Sequence, residues 1–443
     1  VGQKLKYVLS DLHIGLDRAH QPAQDIAASQ QFVQFLHAIW RESERNDQEI
    51  ELIINGDFLA LLQAPAVDVY LPSLAYPAPA YLDSSQEASV KRLKLIAERN
   101  PDVFNALSDF IHVENPQRRI TIIKGNHDVT LYWPGVKNRL REILGAFGTR
   151  ASLLRFADEF VSREKIYVEH GHQRAEKMNG YNDSFDPRAI DNPSQIHYPT
   201  GALFTINFLN EARRRWWFVD HLKPVTSLIW YAFQWNFDFA CQALASFIRH
   251  TPALVVSDMP ISDNAIIPAD TLLQDLEDDA VRRRLAKKYA ASAEFRLEFH
   301  RRVQQYIEDA IIDNKGEAAF SAVTISSDPL DMGRADQLRQ RSMLQQAALG
   351  LADPDKARVI VFGHTHHPVW QELPQGCVYV NTGSWSKDLA NAAPETWAAL
   401  FAGAIQPADI PFTLPYARIE YDENDNPTAQ LLYFNPTPPE AGP

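Results

Sequence analysis

Arg119-Ile120-Thr121-Ile122-Ile123-Lys124-Gly125-Asn126-His127-Asp128 decides how this chain is read. A β-branched, apolar run of this length is a buried strand. It stops abruptly at a glycine and then presents an amide, an imidazole and a carboxylate on one turn. Imidazole is the commonest side-chain metal ligand. Polar groups of this kind, delivered from the end of a buried strand, suit a ligand site.

The same arrangement recurs on both sides. Lys6-Tyr7-Val8-Leu9-Ser10 leads into Asp11-Leu12-His13, and Glu51-Leu52-Ile53-Ile54-Asn55 leads into Gly56-Asp57. Lys165-Ile166-Tyr167-Val168-Glu169 leads into His170-Gly171-His172. Ala357-Arg358-Val359-Ile360-Val361-Phe362 leads into Gly363-His364-Thr365-His366. Between the first two strands, Ala27 to Glu44 carries Phe32, Phe35, Leu36 and Ile39 at helical spacing. Strand, helix, strand is a parallel crossover. Glu87 to Ile111 is expected to be helical, and the proline-rich Ala64 to Ala80 to be a loop on the rim of the site. From Gln173 to Asp355 the strand pattern stops and helix and loop are expected, with a long charged amphipathic stretch from Leu273 to Asn314. Val378-Tyr379-Val380 ends at Asn381-Thr382-Gly383-Ser384, and Tyr416 to Phe434 reads as a hairpin turning at Glu423-Asn424-Asp425-Asn426. No internal repeat is visible. The expected class is α/β: a core over 1–172 and 356–443, interrupted by a mostly helical cap insertion over 173–355. In α/β sheets ligands bind where strands end, and all five polar blocks lie there.

The chain has 443 residues, 45% hydrophobic and 22% charged, ample for a large core. Its net charge of −13, from 43 basic and 56 acidic residues, argues against a general nucleic-acid binder. Cys241 and Cys377 are read as free thiols in a reducing compartment. Val1 to Ser10 lacks the apolar run of a secretory signal, so a cytoplasmic setting is expected. No stretch reaches the roughly 18 uncharged apolar residues of a membrane span.

A lone Asp-x-His or Gly-Asp is ordinary at a strand end. Five such blocks in one order are not, and here the chain resembles the calcineurin-like metallophosphoesterase superfamily. That family carries D-x-H, G-D, G-N-H-[DE], a strand-end His and G-H-x-H in this sequence. The resemblance covers the core and not the insertion. It implies a four-layer α/β/β/α metallophosphoesterase sandwich with two divalent transition-metal ions at the strand ends. Asp11, His13 and His366 would hold one ion, and Asn126, His170 and His364 the other, with Asp57 bridging. His127 would contact the phosphate and protonate the leaving oxygen, and Asp128 would orient His127.

The chemistry of the residues agrees with that allocation. A carboxylate is a natural bridge between cations about 3.5–4 Å apart. Two dications against two carboxylates leave a positive surplus that attracts phosphate and generates an attacking hydroxide. An oxygen and nitrogen ligand set without thiolate suits Mn, Fe, Zn or Co, with Mn(II) the expected choice in assays.

Other residues are weaker candidates. His172 is placed behind the ligands or against substrate, with direct ligation as the lesser option. His367 is read as a surface residue. Arg174, Asn179, Asn182 and Asp183 follow a ligand block and are possible substrate contacts, while Arg118, Arg119 and Lys124 are read as structural.

The insertion leaves at His172 and returns before His364, so it must sit beside the site and is expected to select substrate. Arg213-Arg214-Arg215-Trp216-Trp217 opens an aromatic run reaching Val256. That run is read first as cap core, then as an apolar groove for acyl chains, then as a peripheral membrane contact. Ser10-Asp11-Leu12-His13-Ile14-Gly15 and the large cap are similar to bacterial UDP-2,3-diacylglucosamine pyrophosphatases. The chain departs from them at His127, where that group typically has Arg, and in its longer insertion.

The expected function is hydrolysis of a phosphodiester or pyrophosphate bond in a small or lipid-linked substrate, with no nucleic-acid partner. A phosphomonoesterase or phosphoprotein phosphatase is the alternative within the class. A non-catalytic scaffold of the same fold is the alternative outside it.

Overall fold

The computed structural model describes residues 5–435 apart from 19–20, 23–26, 113–114, 163, 176, 182, 184, 220, 251–268, 312–323 and 390–391. Its strands are β1 (Leu5–Leu9), β2 (Ile50–Asn55), β3 (Arg118–Ile123), β4 (Leu154–Ala157), β5 (Phe160–Ser162), β6 (Ile166–Val168), β7 (Val359–Phe362), β8 (Pro368–Leu373), β9 (Cys377–Thr382), β10 (Pro415–Tyr421) and β11 (Pro427–Tyr433). They form two mixed sheets, in the orders β11-β10-β1-β2-β3-β4 and β5-β6-β7-β9-β8. The inner pairs β1–β2, β2–β3, β6–β7 and β7–β9 are parallel. The chain is thus α/β, and every polar block that follows β1, β2, β3, β6 and β7 leaves a parallel strand at its C-terminal end.

Strand alternation sorts the core. Leu5, Tyr7 and Leu9 of β1, with Ile50, Leu52 and Ile54 of β2, pack against helices α1 (Ser29–Asn46), α2 (Gln86–Arg99), α3 (Pro101–His112) and α4 (Pro134–Ile143). The intervening Val8, Ile53 and Ile123 face the other way and meet Val168, Val359, Val361 and Val380 of the second sheet. The opposite face of that sheet, through Ile360, Phe362 and Tyr379, meets Leu344 and Ala348. The Lys6 ammonium is enclosed at the sheet interface, 2.7 Å from Glu164 and 3.6 Å from the buried Glu51. Thr121 donates to Glu51 at 2.8 Å, so Glu51 is paired twice.

Several sequence expectations change in detail. Glu87 to Ile111, expected to be helical, forms two helices, α2 and α3, with the break at Asn100. Two short strands, β4 and β5, come between β3 and the strand before His170, where the sequence reading has none. The hairpin β10–β11 pairs Tyr421 with Pro427 around the expected turn.

The helical segment contains α5 (Val225–Trp235), α6 (Phe237–Arg249), α7 (Asp279–Ala291), α8 (Ala293–Ile311) and α9 (Pro329–Leu351). Its aromatic run is mostly interior: Trp230, Phe233, Phe239 and Phe247 pack with Phe299, Ile307 and Met332. Among the described residues of 216–250 no large apolar side chain is exposed. Packing therefore favours the cap-core use of this run; residues 251–256 lie outside the described ones. Trp397 and Leu400, on α10 (Pro394–Phe401) of the second core part, join the same cluster. Tyr181, Tyr198 and Ile206 from the insertion join the first-sheet core in return. Among the described residues no helix is long and apolar enough to cross a membrane. Cys241 and Cys377 are both buried and free.

Candidate metal centre

The loops after the parallel strands lie side by side. Asp11 N–H donates to the Gly56 carbonyl at 3.1 Å, and His13 N–H to the Asp57 carbonyl at 2.9 Å. His127 N–H donates to Asp57 Oδ1 at 2.8 Å. From the second sheet, His364 N–H donates to Asp11 Oδ2 at 2.9 Å. Bonds from backbone N–H groups therefore hold all five blocks in register, the fifth through Gly363 N–H to the His170 carbonyl at 3.0 Å, and the His170 ring adds a bond of its own: Nδ1 donates to the Asn55 carbonyl at 2.8 Å. That bond fixes the tautomer and turns Nε2 toward the centre.

The chain needs special backbone to do this. Nine described non-glycine residues have positive φ, and five are Asp11 (53°), His13 (47°), Asp57 (49°), His364 (67°) and His366 (55°). Left-handed residues of this kind cost about 1–3 kcal/mol each and gather at functional sites. Gly56, with φ of 80°, passes so close to His170 that a Cβ would overlap the imidazole. Gly125 passes Asp57 in the same way.

Three groups of ligand atoms result, each within 4.8 Å of one another: Asp11, His13 and His366; His13, Asp57 and His127; and Asp57, His170 and His364. His13 Nε2 lies 3.2 Å from His366 Nε2, across 353 residues of sequence. Asp57 Oδ2 lies 3.4 Å from His170 Nε2 and 3.8 Å from His13 Nε2, so this carboxylate faces both sides of the cluster. The Asn126 side-chain oxygen is buried with no hydrogen-bond partner. Six of the seven residues named as ligands from the sequence fall in these groups, and the seventh, Asn126, directly precedes His127, whose N–H is bonded to Asp57. His127 offers a ring nitrogen to the same space.

The electrostatics call for a cation. Burial would raise Asp11 and Asp57, but neighbouring histidines outweigh it and hold both carboxyls well below the usual range. Burial would lower His170, yet Asp57 and Asp11 push it up to about 10. Two enclosed carboxylates thus draw a proton onto an imidazole whose second nitrogen is already committed. A divalent ion would take that proton's place, with ligands deprotonated as binding requires. The donors are carboxylate, imidazole and amide without sulfur, which fits first-row transition metals.

One expected role is corrected. Asp128 does not hold the His127 ring. Its Oδ2 accepts from Phe58 N–H at 2.8 Å and Leu59 N–H at 3.2 Å, and its Oδ1 accepts from Gly125 N–H. The carboxylate therefore ties the loop after β2 to the loop after β3. Burial and Asp57 push it up to about 7 against the bonds from Gly125 and Leu59. His127 Nδ1 has no hydrogen-bond partner, while Nε2 lies 3.2 Å from Lys223 Nζ. Asp128→Ala is expected to destabilise the protein by several kcal/mol, because each buried amide left unpaired costs about 1–3 kcal/mol. Denaturant unfolding checks this. An unchanged midpoint with turnover alone reduced would return Asp128 to the service of His127.

The remaining candidates separate clearly. His172 is buried against Tyr181, ring centroids 5.9 Å apart, and belongs to none of the three groups. Arg174 is committed to Glu169 at 2.6 Å and the Tyr167 hydroxyl at 3.0 Å. Asp183 accepts from Phe185 N–H at 2.8 Å, and Gly201 packs on Asn179. Asn182 lies outside the described residues. Arg118 is buried under Trp40 and lies 3.4 Å from Glu44; Arg119 contacts Gln117 and Lys124 contacts Asp158. His367 is half-buried rather than a surface residue and lines a cavity beside His366.

Two residues at the centre went unnoticed in the sequence. Lys223 comes from the helical segment, and Tyr181 donates its hydroxyl to the Asn126 carbonyl at 3.0 Å. Neither has a local signal, since a lysine before proline and a tyrosine in a loop are common. A larger cavity of about 880 Å³, lined by Arg18, His37, Asp102 and Asp109, shares no residue with the cluster. No protein-family model matches the chain, and no curated protein sequence matches it.

Proposed function

We propose that this chain is a dinuclear-metal phosphohydrolase of the calcineurin-like metallophosphoesterase kind, cleaving a phosphodiester or pyrophosphate bond. The observation that carries this is the convergence of Asp11, His13, Asp57, His170, His364 and His366, from four strand ends in two sheets, on one cluster, with Asn126 buried on the loop after a fifth strand. The order of layers, helices on sheet on sheet on helix, supports the four-layer sandwich of that family.

Two divalent ions, Mn(II) first among them, would supply Lewis-acid charge and a nucleophilic water at neutral pH. Asp11, His13 and His366 would hold one, Asn126, His170 and His364 the other, and Asp57 both. His127 stands at the edge of this set, its ring against His13 with centroids 4.8 Å apart. In this role it gives a proton to the departing oxygen. Lys223 places an ammonium beside it and would hold a phosphate oxygen. Backbone N–H bonds from His127 and His364 keep the two carboxylates aimed while the charge on phosphorus changes. A small or lipid-linked phosphate ester fits the enclosure by the insertion better than a folded phosphoprotein.

Hydrolysis of an aryl phosphodiester against the matching aryl phosphomonoester, with Mn(II) supplied, tests this. Diester preference is expected. Monoester preference would move the phosphatase alternative to first place. Absence of bound metal would favour the non-catalytic scaffold, against which the retention of every ligand now argues.

A further inference from the structure

Beside the metal centre lies a second cavity, of about 210 Å³, with His366 in its wall. Lys223 and Arg341 reach it from the helical segment, and Lys387 from the loop after β9. Asp388 is the single acid in its lining. Three cations against one carboxylate leave a formal surplus of two positive charges, in a chain whose net charge is −13.

Two of these cations are not committed to protein acids. Lys223 and Arg341 form no ion pair among the described residues, whereas Arg339, two positions before Arg341, is 2.6 Å from Asp336. Lys387 is held in place by donating to the Ile410 carbonyl at 2.9 Å, with its ammonium 3.9 Å from the Phe412 ring centre. Hydroxyls of Ser384 and Ser386, 2.7 Å apart, add donors to the same wall. The volume is below the roughly 300–1,000 Å³ of pockets that enclose a whole drug-sized ligand. It suits one end of a substrate.

We propose that this cavity is a subsite for a second anionic group of the substrate, held by Lys223, Arg341 and Lys387 while the scissile phosphate sits at the metal centre. The proposal rests on the phosphohydrolase reading above. It narrows the substrate to molecules with two anionic groups, phosphate at the reacting end and phosphate or carboxylate at the other. Lys223, 3.2 Å from His127 Nε2, stands where the two sites join.

Calorimetric binding to the full-length, Mn(II)-loaded protein tests it. The probes are matched pairs, n-alkylphosphonates and ω-carboxyalkylphosphonates of the same length, with two to four methylenes. In at least one pair the carboxylate is expected to tighten binding by about tenfold or more, the scale of one charge-assisted contact. Arg341→Gln should bring that ratio close to unity, and Arg341→Lys should keep part of it. Lys387→Gln gives an independent second reading of the same ratio. Equal affinities in every pair would overturn the subsite and leave the phosphohydrolase reading standing. No uptake of Mn(II), or no binding of the simple alkylphosphonates, would overturn that reading and the subsite with it.

Discussion

Asp57→Asn is expected to cut hydrolysis by at least about a thousandfold, beyond the roughly 10–100-fold that loss of an outer partner costs. Metal content should fall on both sides of the centre together. Asp57 belongs to two of the three ligand groups, one with His13 and His127 and one with His170 and His364. Its Oδ2 lies 3.8 Å from His13 Nε2 and 3.4 Å from His170 Nε2. Asparagine keeps the shape and an oxygen for the His127 N–H, so the loops stay tied. What disappears is the negative charge that both sides share. Metal analysis of the folded variant beside its activity decides the matter. Retention of one ion at full occupancy would end the case for a shared carboxylate.

The parallel strands that carry the site were legible because each does two things at once. In β1, β2 and β3, Leu5, Tyr7, Leu9, Ile50, Leu52, Ile54, Ile120 and Ile122 face the helices, and Val8, Ile53 and Ile123 face the other sheet. A strand buried on both faces reads as a continuous hydrophobic run. Each run then ends in a polar block, so strand and ligand are announced together. β4 and β5 lacked that announcement. They are four and three residues long, they include Arg155 and exposed Val161, and the polar residues that follow them, Asp158-Glu159 and Arg163-Glu164, include no histidine. β8 opens on Pro368, directly after His366-His367, and proline reads as a break. It survives there because β8 is at the sheet edge.

The candidate ligands were legible as types and the supporting contacts were not. Asp128 shows why. A carboxylate after an imidazole suggests that one orients the other, but adjacent residues on a turn point apart. Here the acid faces the amides of residues 58, 59 and 125. Lys223, Arg341 and Lys387 are scattered over 164 positions, and only the packing of α5 and α9 against the second core part brings them to one cavity. Contacts of that separation leave no trace in spacing or periodicity.

His127→Ala is expected to lower turnover by about 10²–10⁴-fold, the range of a lost general acid, while metal content holds. The backbone explains the separation. The contact from this residue to Asp57 is made by its N–H, at 2.8 Å, and alanine keeps it. Only the ring is lost, with its edge toward His13 and its Nε2 beside Lys223. The size of the defect should depend on the leaving group. A nitrophenolate departs without a proton, so an aryl ester should suffer least. An alkoxide needs one, so an alkyl ester of the same phosphate should suffer most. A defect equal for both would make His127 a positioning residue that holds phosphate and donates nothing. Loss of an ion in the variant would instead place the imidazole among the ligands, in the group it forms with His13 and Asp57. The comparison of two esters and one metal analysis therefore assigns the ring to a single role.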